Sequence, residues 1–352
     1  MRTVCRSAIV VAILGGCAGD TDHGFLSVGG ENTPGAASSA LSAWGECGPE
    51  PEVESNIEAV VQTVPPSGAR NVSVHTPAIV YLEEGFTQDD VEFEVTSNGW
   101  AIDGDVVDLE SGGTVIVGFA PLDPYDVAGE VVVKLRVKME DGSVDTMDWQ
   151  FHTGPYEDAS AGNPNLSFEN PATANGVPCE YTYFTDNFIG FGDVAFTSDA
   201  AGTTTATDGD SRLLMTTGEV LGNASVRATT SFVTSQPLPL VSEPTLRFDY
   251  QFISEEFDEH LGSIHDDSFL VMIHGQQNAV LEEITSVNRI GASGSSETQF
   301  PGLIDAEGSD WRTHAVTDFD TVGSNATISF FVTDVGNSER TTAVSVDNLR
   351  TE

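Results

Sequence analysis

Val131-Val132-Val133-Lys134-Leu135-Arg136-Val137-Lys138-Met139, then Asp141-Gly142, then Met147-Asp148-Trp149-Gln150-Phe151-His152: this stretch decides the fold. In the first run Val131, Val133, Leu135, Val137 and Met139 alternate with Lys134, Arg136 and Lys138. In the second, Met147, Trp149 and Phe151 alternate with Asp148, Gln150 and His152. Successive side chains of a strand point to opposite faces, so each run puts one set inward and the other into water. The Asp-Gly pair between them is a turn signal.

The same period extends outward. Val91, Phe93 and Val95 alternate with Glu92 and Glu94. Pro65-Pro66-Ser67-Gly68, Asp103-Gly104 and Gly112-Gly113 punctuate the runs,. No stretch has sustained helical periodicity. Residues 55–154 are therefore expected to form an antiparallel sandwich of about seven strands. Residues 155–164, with Pro155, Gly162 and Pro164, read as a linker. Residues 165–352 return to period two: Leu246, Phe248, Tyr250 and Phe252 alternate with Arg247, Asp249 and Gln251, and Ile328, Phe330 and Val332 with Thr327 and Ser329. Phe269 to Ile273 is apolar on both faces, as in a central strand. A jelly roll, two sheets packed face to face, fits this segment. The fold class is all-β, with a larger sandwich following a smaller one.

Composition agrees. Of 352 residues, 39% are apolar, and 35 Gly with 16 Pro supply turns for many short strands,. The charge balance is extreme: Lys plus Arg total 13 against 55 Asp plus Glu, a formal net charge of −42. Such a surface repels nucleic acid and anionic membrane, because phosphate binding needs clustered Lys and Arg. It offers many sites for divalent cations; adaptation to a high-salt habitat is an equal reading.

At the N-terminus Arg2 and Arg6 precede an apolar run from Ala8 to Leu14. That run is far short of the ~20 residues needed to span a bilayer, but it suits the core of a signal peptide. Leu14-Gly15-Gly16-Cys17 follows and resembles the lipobox of bacterial lipoproteins. The resemblance implies that residues 1–16 are removed, that Cys17 becomes a diacylglycerol-bearing N-terminus, and that Ala18 after it directs the protein to the outer membrane or cell surface. Several acyl chains together would anchor it stably. An ordinary signal peptide with an incidental Cys17 is the other reading. Residues 17–54, rich in Gly, Ala, Ser, Asp and Glu, read as a flexible tether. Cys5 leaves with the signal. Cys47 and Cys179 either pair, as an exported compartment permits, or stay separate thiols. No spacing suggests zinc or thioredoxin-like chemistry.

Two further resemblances concern the sandwiches. Val64-Pro65-Pro66-Ser67-Gly68, Thr76-Pro77-Ala78-Ile79-Val80, Gly118-Phe119-Ala120-Pro121-Leu122 and Trp149-Gln150-Phe151-His152-Thr153-Gly154 resemble the bacterial Ig-like (SbsA-type) domains of S-layer and other surface proteins. The likeness departs at Tyr81-Leu82-Glu83-Glu84, where an aromatic is usual after the second strand. It implies a spacer or adhesion module without catalytic residues. Asn165-Leu166-Ser167-Phe168-Glu169, Gly192-Asp193-Val194, Phe248 through Phe257, Asp266-Asp267-Ser268-Phe269 and Ser345-Val346-Asp347-Asn348-Leu349 resemble the jelly rolls called choice-of-anchor domains, with distant likeness to carbohydrate-binding modules. In related jelly rolls an acid in the last strand helps to hold calcium.

The loop from Glu255 to Asp267 carries Glu255, Glu256, Asp258, Glu259, Asp266 and Asp267 without Lys or Arg. Packed carboxylates repel unless a cation shares them or they spread into water. Calcium takes about six to eight oxygens, so Glu255, Glu256, Asp258, Asp266, Asp267 and Asp347 are the candidate ligands of a structural Ca2+; a solvated acidic loop is the alternative. His260 and His265 lack the His-Glu-x-x-His spacing of a zinc protease. Gly291-Ala292-Ser293-Gly294-Ser295 is faintly like a nucleophile elbow but has Ser295 where the final glycine belongs,. Tyr181 and Tyr183, with Phe184 and Phe188, would stack on sugar faces if exposed and otherwise pack the sandwich end. The expectation is a lipid-anchored surface protein whose partner is polysaccharide or an envelope protein and not nucleic acid. A glycan hydrolase and a purely structural envelope part are the rivals.

Overall fold

The computed structural model describes residues 57–154 almost continuously and, from 168 to 351, the strands of the second sandwich with several of their connections. The expected signal, tether and linker (1–16, 17–54, 155–164) lie outside the described residues, as do Cys17, Cys47, Cys179, Tyr181 and Asp258.

The first sandwich has eight strands: β1 (Val60–Val64), β2 (Ala78–Glu83), β3 (Val91–Ser97), β4 (Trp100–Ala101), β5 (Gly104–Ser111), β6 (Thr114–Pro121), β7 (Glu130–Lys138) and β8 (Val144–His152). One sheet runs β1-β2-β6-β5 and the other β4-β3-β7-β8. β7 and β8 form the hairpin read from the alternation, pairing Leu135 with Met147, Val133 with Trp149 and Val131 with Phe151. All six of these side chains are buried, and the residues between them face outward. On the wet face Lys134 meets Glu94 at 3.4 Å and Arg136 meets Glu92 at 3.2 Å. Such exposed pairs contribute less than about 1 kcal/mol each.

The second sandwich comprises β9 (Thr182–Phe184), β10 (Phe188–Phe191), β11 (Asp193–Ser198), β12 (Ser211–Thr216), β13 (Gly218–Glu219), β14 (Arg227–Ala228), β15 (Thr230–Ser235), β16 (Leu238–Pro239), β17 (Leu246–Ser254), β18 (Ser268–Gly275), β19 (Ala279–Ser286), β20 (Ser296–Glu297), β21 (Glu307–Gly308), β22 (Arg312–Val316), β23 (Asn325–Thr333) and β24 (Thr342–Thr351). One sheet runs β19-β18-β23-β15-β10-β9 with β16 beside β23; the other runs β11-β12-β24-β17-β21-β20 with β22 beside β17. The chain is thus all-β, an Ig-like sandwich followed by a larger jelly-roll sandwich. A short helix, Val287–Ser293, follows β19 and takes up the Gly291-Ala292-Ser293 stretch. Among the described residues no helix is long and apolar enough to cross a membrane.

β2 and β6 break the alternation: Ala78 to Leu82 and all of Thr114–Pro121 are buried. The reason is that their sheet is covered on both faces. On one side Phe119 meets Phe93 and the hydrophobic interior of the first sandwich. On the other, the same core cluster takes in Phe232, Leu270, Met272, Leu281 and Phe331 from the second sandwich. β18 therefore feeds two cores. Phe269, Val271 and Ile273 point into the second sandwich, whereas Leu270 and Met272 point at the first. Each such side chain, fully buried, stabilises by about 1.5–3 kcal/mol. Gly118 of β6 marks the closest approach, because a Cβ there would sit 2.6 Å from Met272 Cε.

Polar contacts stitch the same interface. Gln62 Nε2 donates to Thr230 Oγ1 at 2.7 Å, and Thr76 Oγ1 lies 3.2 Å from Thr234 Oγ1. His274 Nε2 lies 3.1 Å from the His75 carbonyl, and the Tyr81 hydroxyl donates to Thr333 Oγ1 at 2.9 Å. Tyr81 stands where the chain departs from the Ig-like pattern. Period two assigns each strand one dry face; stacked sandwiches leave β2, β6 and β18 with two.

Candidate metal centre

Four strand ends converge at one mouth of the second sandwich. β17 and β24, neighbours in one sheet, meet there at the pair Ser254 and Thr342. β18 and β23, neighbours in the other sheet, meet at Ser268 and Thr333. Each strand leaves or enters with an oxygen-bearing side chain: Glu256 lies just beyond β17, Asp267 just before β18, Asp334 just after β23, and Thr342 opens β24. Carboxylate oxygens of Glu256, Asp267 and Asp334 all lie within 4.8 Å of one another. The three residues are 0%, 0% and 2% exposed, so the cluster faces no bulk water.

The partners of Asp267 fix its carboxylate. Oδ1 accepts the Val335 N–H at 3.1 Å, and Oδ2 accepts the Thr342 hydroxyl. Thr342 Oγ1 is 2.8 Å from Ser254 Oγ, which in turn accepts the Glu256 N–H at 3.0 Å. Burial pushes the Asp267 carboxyl well above the usual range and the Asp334 charge adds to it; Thr342, the Val335 N–H and Glu256 oppose the shift. Three carboxylates in a dry site cannot all ionise alone. A proton or a nearby positive charge relieves that repulsion.

The donor set is entirely oxygen, with no sulfur or imidazole among the three. Such hard ligands suit Ca2+ or Mg2+, and the flexible calcium shell tolerates ligands drawn from separate strand ends. A cation here would be held by Glu256, Asp267 and Asp334 and would neutralise the mutual repulsion of their carboxylates.

Of the acids expected from sequence, Glu256 and Asp267 are brought together and Asp334 joins them. The other described candidates go elsewhere. Glu255 is half-buried and accepts the Thr341 N–H at 3.0 Å. Asp266 Oδ1 accepts the Asn288 N–H at 2.8 Å in the first turn of the short helix; burial raises its carboxyl and that hydrogen bond opposes the rise.

Asp347 corrects the reading that the last-strand acid reaches the same edge. It is opposite Asp249, well down β24 from Thr342. Its Oδ2 accepts Thr207 N–H at 2.6 Å, Asp208 N–H at 2.9 Å and the Thr207 hydroxyl at 3.1 Å. It closes a loop against the strand. Asp249 beside it accepts Thr313 Oγ1 at 2.6 Å and Asn348 Nδ2 at 2.9 Å. Burial would raise Asp249, but those hydrogen bonds, that of Thr207 and the Arg350 charge outweigh it and hold the carboxyl low.

Of the aromatic stretch, Phe188 is core: it is buried and its ring lies 5.5 Å from that of Phe168. Tyr183 pairs through its backbone with Ile189. Sequence reasoning missed Asp334 because its partner across the sheet is remote in the chain. The one local signal was an acid just beyond the alternating strand Ile328 to Val332.

A scan against protein-family models finds no match to the chain, and a search of the curated proteins finds none. Among solved structures it is similar to PcoC, a copper resistance protein from Escherichia coli, at 16% identity and a TM-score of 0.24 over 27% of this chain and 97% of that one. A carbohydrate-binding module of the β-sandwich superfamily matches at 15% identity and a TM-score of 0.30, over 83% of this chain and 97% of that one. The module CBM27-1 of Caldicellulosiruptor saccharolyticus, solved with mannohexaose, matches at 12% identity and a TM-score of 0.25, over 44% and 80%. Scores this low leave fold and site to be argued from the chain's own strands and side chains.

Proposed function

We propose that the chain is a surface lipoprotein, anchored through Cys17, whose sandwiches serve binding or adhesion while Ca2+ stiffens the second one. The observation that carries the cation reading is the buried triad Glu256, Asp267 and Asp334 at the meeting of four strand ends. A cation there ties both sheets of the sandwich together at one mouth. Its seclusion speaks for a structural role and against hydrolysis by these acids. Calcium sites of extracellular modules work at about 10⁻⁴–10⁻³ M, a range the outside of a cell supplies. The lipobox-like Leu14-Gly15-Gly16-Cys17 and the basic and apolar segments before it support export and anchoring.

The test is thermal unfolding of the whole chain in calcium, in magnesium and in chelator. Calcium at 100 times its dissociation constant should add about 2.7 kcal/mol of stability. Identical melting in chelator and in calcium at about 100 times that expected dissociation constant refutes the site. Anchoring is tested separately by Cys17→Ser, which should move the protein from the membrane fraction to the soluble one.

A further inference from the structure

We propose that the cation of the triad also sets the grip of the second sandwich on the first, so that calcium locks the two into one unit. The inference rests on the cation reading above and names what that site regulates.

The link is one row of side chains. Thr230 of β15, Thr333 of β23 and Ser268 of β18 lie directly opposite one another in successive strand pairs, so all three hydroxyls share one face of their sheet,. All three residues are buried. Gln62 and Tyr81, themselves opposite one another on β1 and β2, reach that row from the first sandwich. Gln62 Nε2 donates to Thr230 Oγ1 at 2.7 Å. The Tyr81 hydroxyl donates to Thr333 Oγ1 at 2.9 Å and has the Ser268 hydroxyl beside it. Asp334 directly follows Thr333, and Asp267 directly precedes Ser268. The ladder between β18 and β23 therefore ends in two hydroxyls that face the joint and, one residue further out, in two carboxylates of the triad.

Charge gives the coupling its sign. The Asp334 charge bears on Asp267, and like charges at the ends of two paired strands press those ends apart. A cation shared by both carboxylates draws the ends together. The same movement sets the spacing of Ser268 and Thr333 around the Tyr81 hydroxyl, a buried group for which a lost partner is costly,. Glu256 brings the third carboxylate from the end of β17 in the other sheet, so the cation holds both sheets while the row holds the first sandwich. Linkage makes the effect reciprocal: the joint must strengthen calcium binding by the factor by which calcium strengthens the joint.

The experiment uses the whole chain, stripped with chelator and then dialysed to equilibrium against radioactive calcium, which gives the dissociation constant of the folded protein. Tyr81→Phe keeps the buried ring and loses the hydroxyl; it should bind calcium about tenfold more weakly, inside the range of about 5–150-fold usual for coupled sites. Thr76→Val cuts the contact with Thr234, which lies opposite Ser329 further along β23, and should bind as the wild type does. Amide exchange supplies a second reading. Calcium should slow β2 about tenfold relative to β8, which belongs to the other sheet of the first sandwich,. A wild type that binds no calcium refutes the cation reading and the coupling with it. Equal affinity in wild type and Tyr81→Phe, equal weakening by Thr76→Val, or an unchanged ratio of β2 to β8 exchange overturns the coupling and leaves the cation site standing.

Discussion

Acid should loosen the contact between the two sandwiches through His274. This side chain is 3% exposed, and its Nε2 sits 3.1 Å from the His75 carbonyl across the interface. Burial pulls its pKa from 6.5 down to about 4, and the neighbouring His75 adds to the shift. The unfolded chain therefore binds this proton at higher pH than the folded one. Stability from the neutral ring is complete above about pH 6.5 and is lost as pH falls toward 4. Each pKa unit corresponds to about 1.36 kcal/mol, so moving from pH 7 to pH 4.5 should cost about 2–3 kcal/mol through this group alone. Many carboxylates titrate nearby, so the measurement is a difference: urea unfolding of wild type and of His274→Phe at both pH values. The variant starts less stable, having lost a polar contact, but should lose about 2–3 kcal/mol less on acidification. Parallel losses in the two proteins would refute the argument that the buried imidazole is held neutral.

Asp334→Asn removes one charge from the triad at nearly constant shape. It should melt in chelator at or above the wild type, and its stabilisation by calcium, about 2.7 kcal/mol at 100 times the dissociation constant, should vanish in the same scan. Asp347→Ala strips three donors around Thr207 and Asp208 of their acceptor; a loss of about 1–3 kcal/mol is expected in urea unfolding, equal with and without calcium,. Gly118→Ala should cost about 1–3 kcal/mol by pressing on Met272, and less in a Met272→Ala background. A double-mutant cycle showing no coupling would mean that the sheets do not meet at that point.

Much of the architecture was legible in single strands. Alternation in Val131 to Met139 and Met147 to His152 named the buried face of β7 and β8 residue by residue, because the period is set by backbone geometry within one strand. Phe269 to Ile273 announced a strand with two dry faces for the same reason. The candidate site was half legible: Glu256 and Asp267 flank one acidic loop, and carboxylates without cations nearby are conspicuous in any sequence. Asp334 was not, since it reaches Asp267 only through the pairing of β18 with β23, which are far apart in the chain. Nor could Asp347 be separated from the cluster without the register that sets it opposite Asp249.

The residues alone settle the class of the molecule, since strand period, turn chemistry and charge are properties of neighbours along the chain. Which strand ends share a mouth, and that β2, β6 and β18 bury both faces between stacked sandwiches, depend on contacts between distant segments. Those contacts are selected by the burial energy of the whole assembly, and no local pattern encodes them.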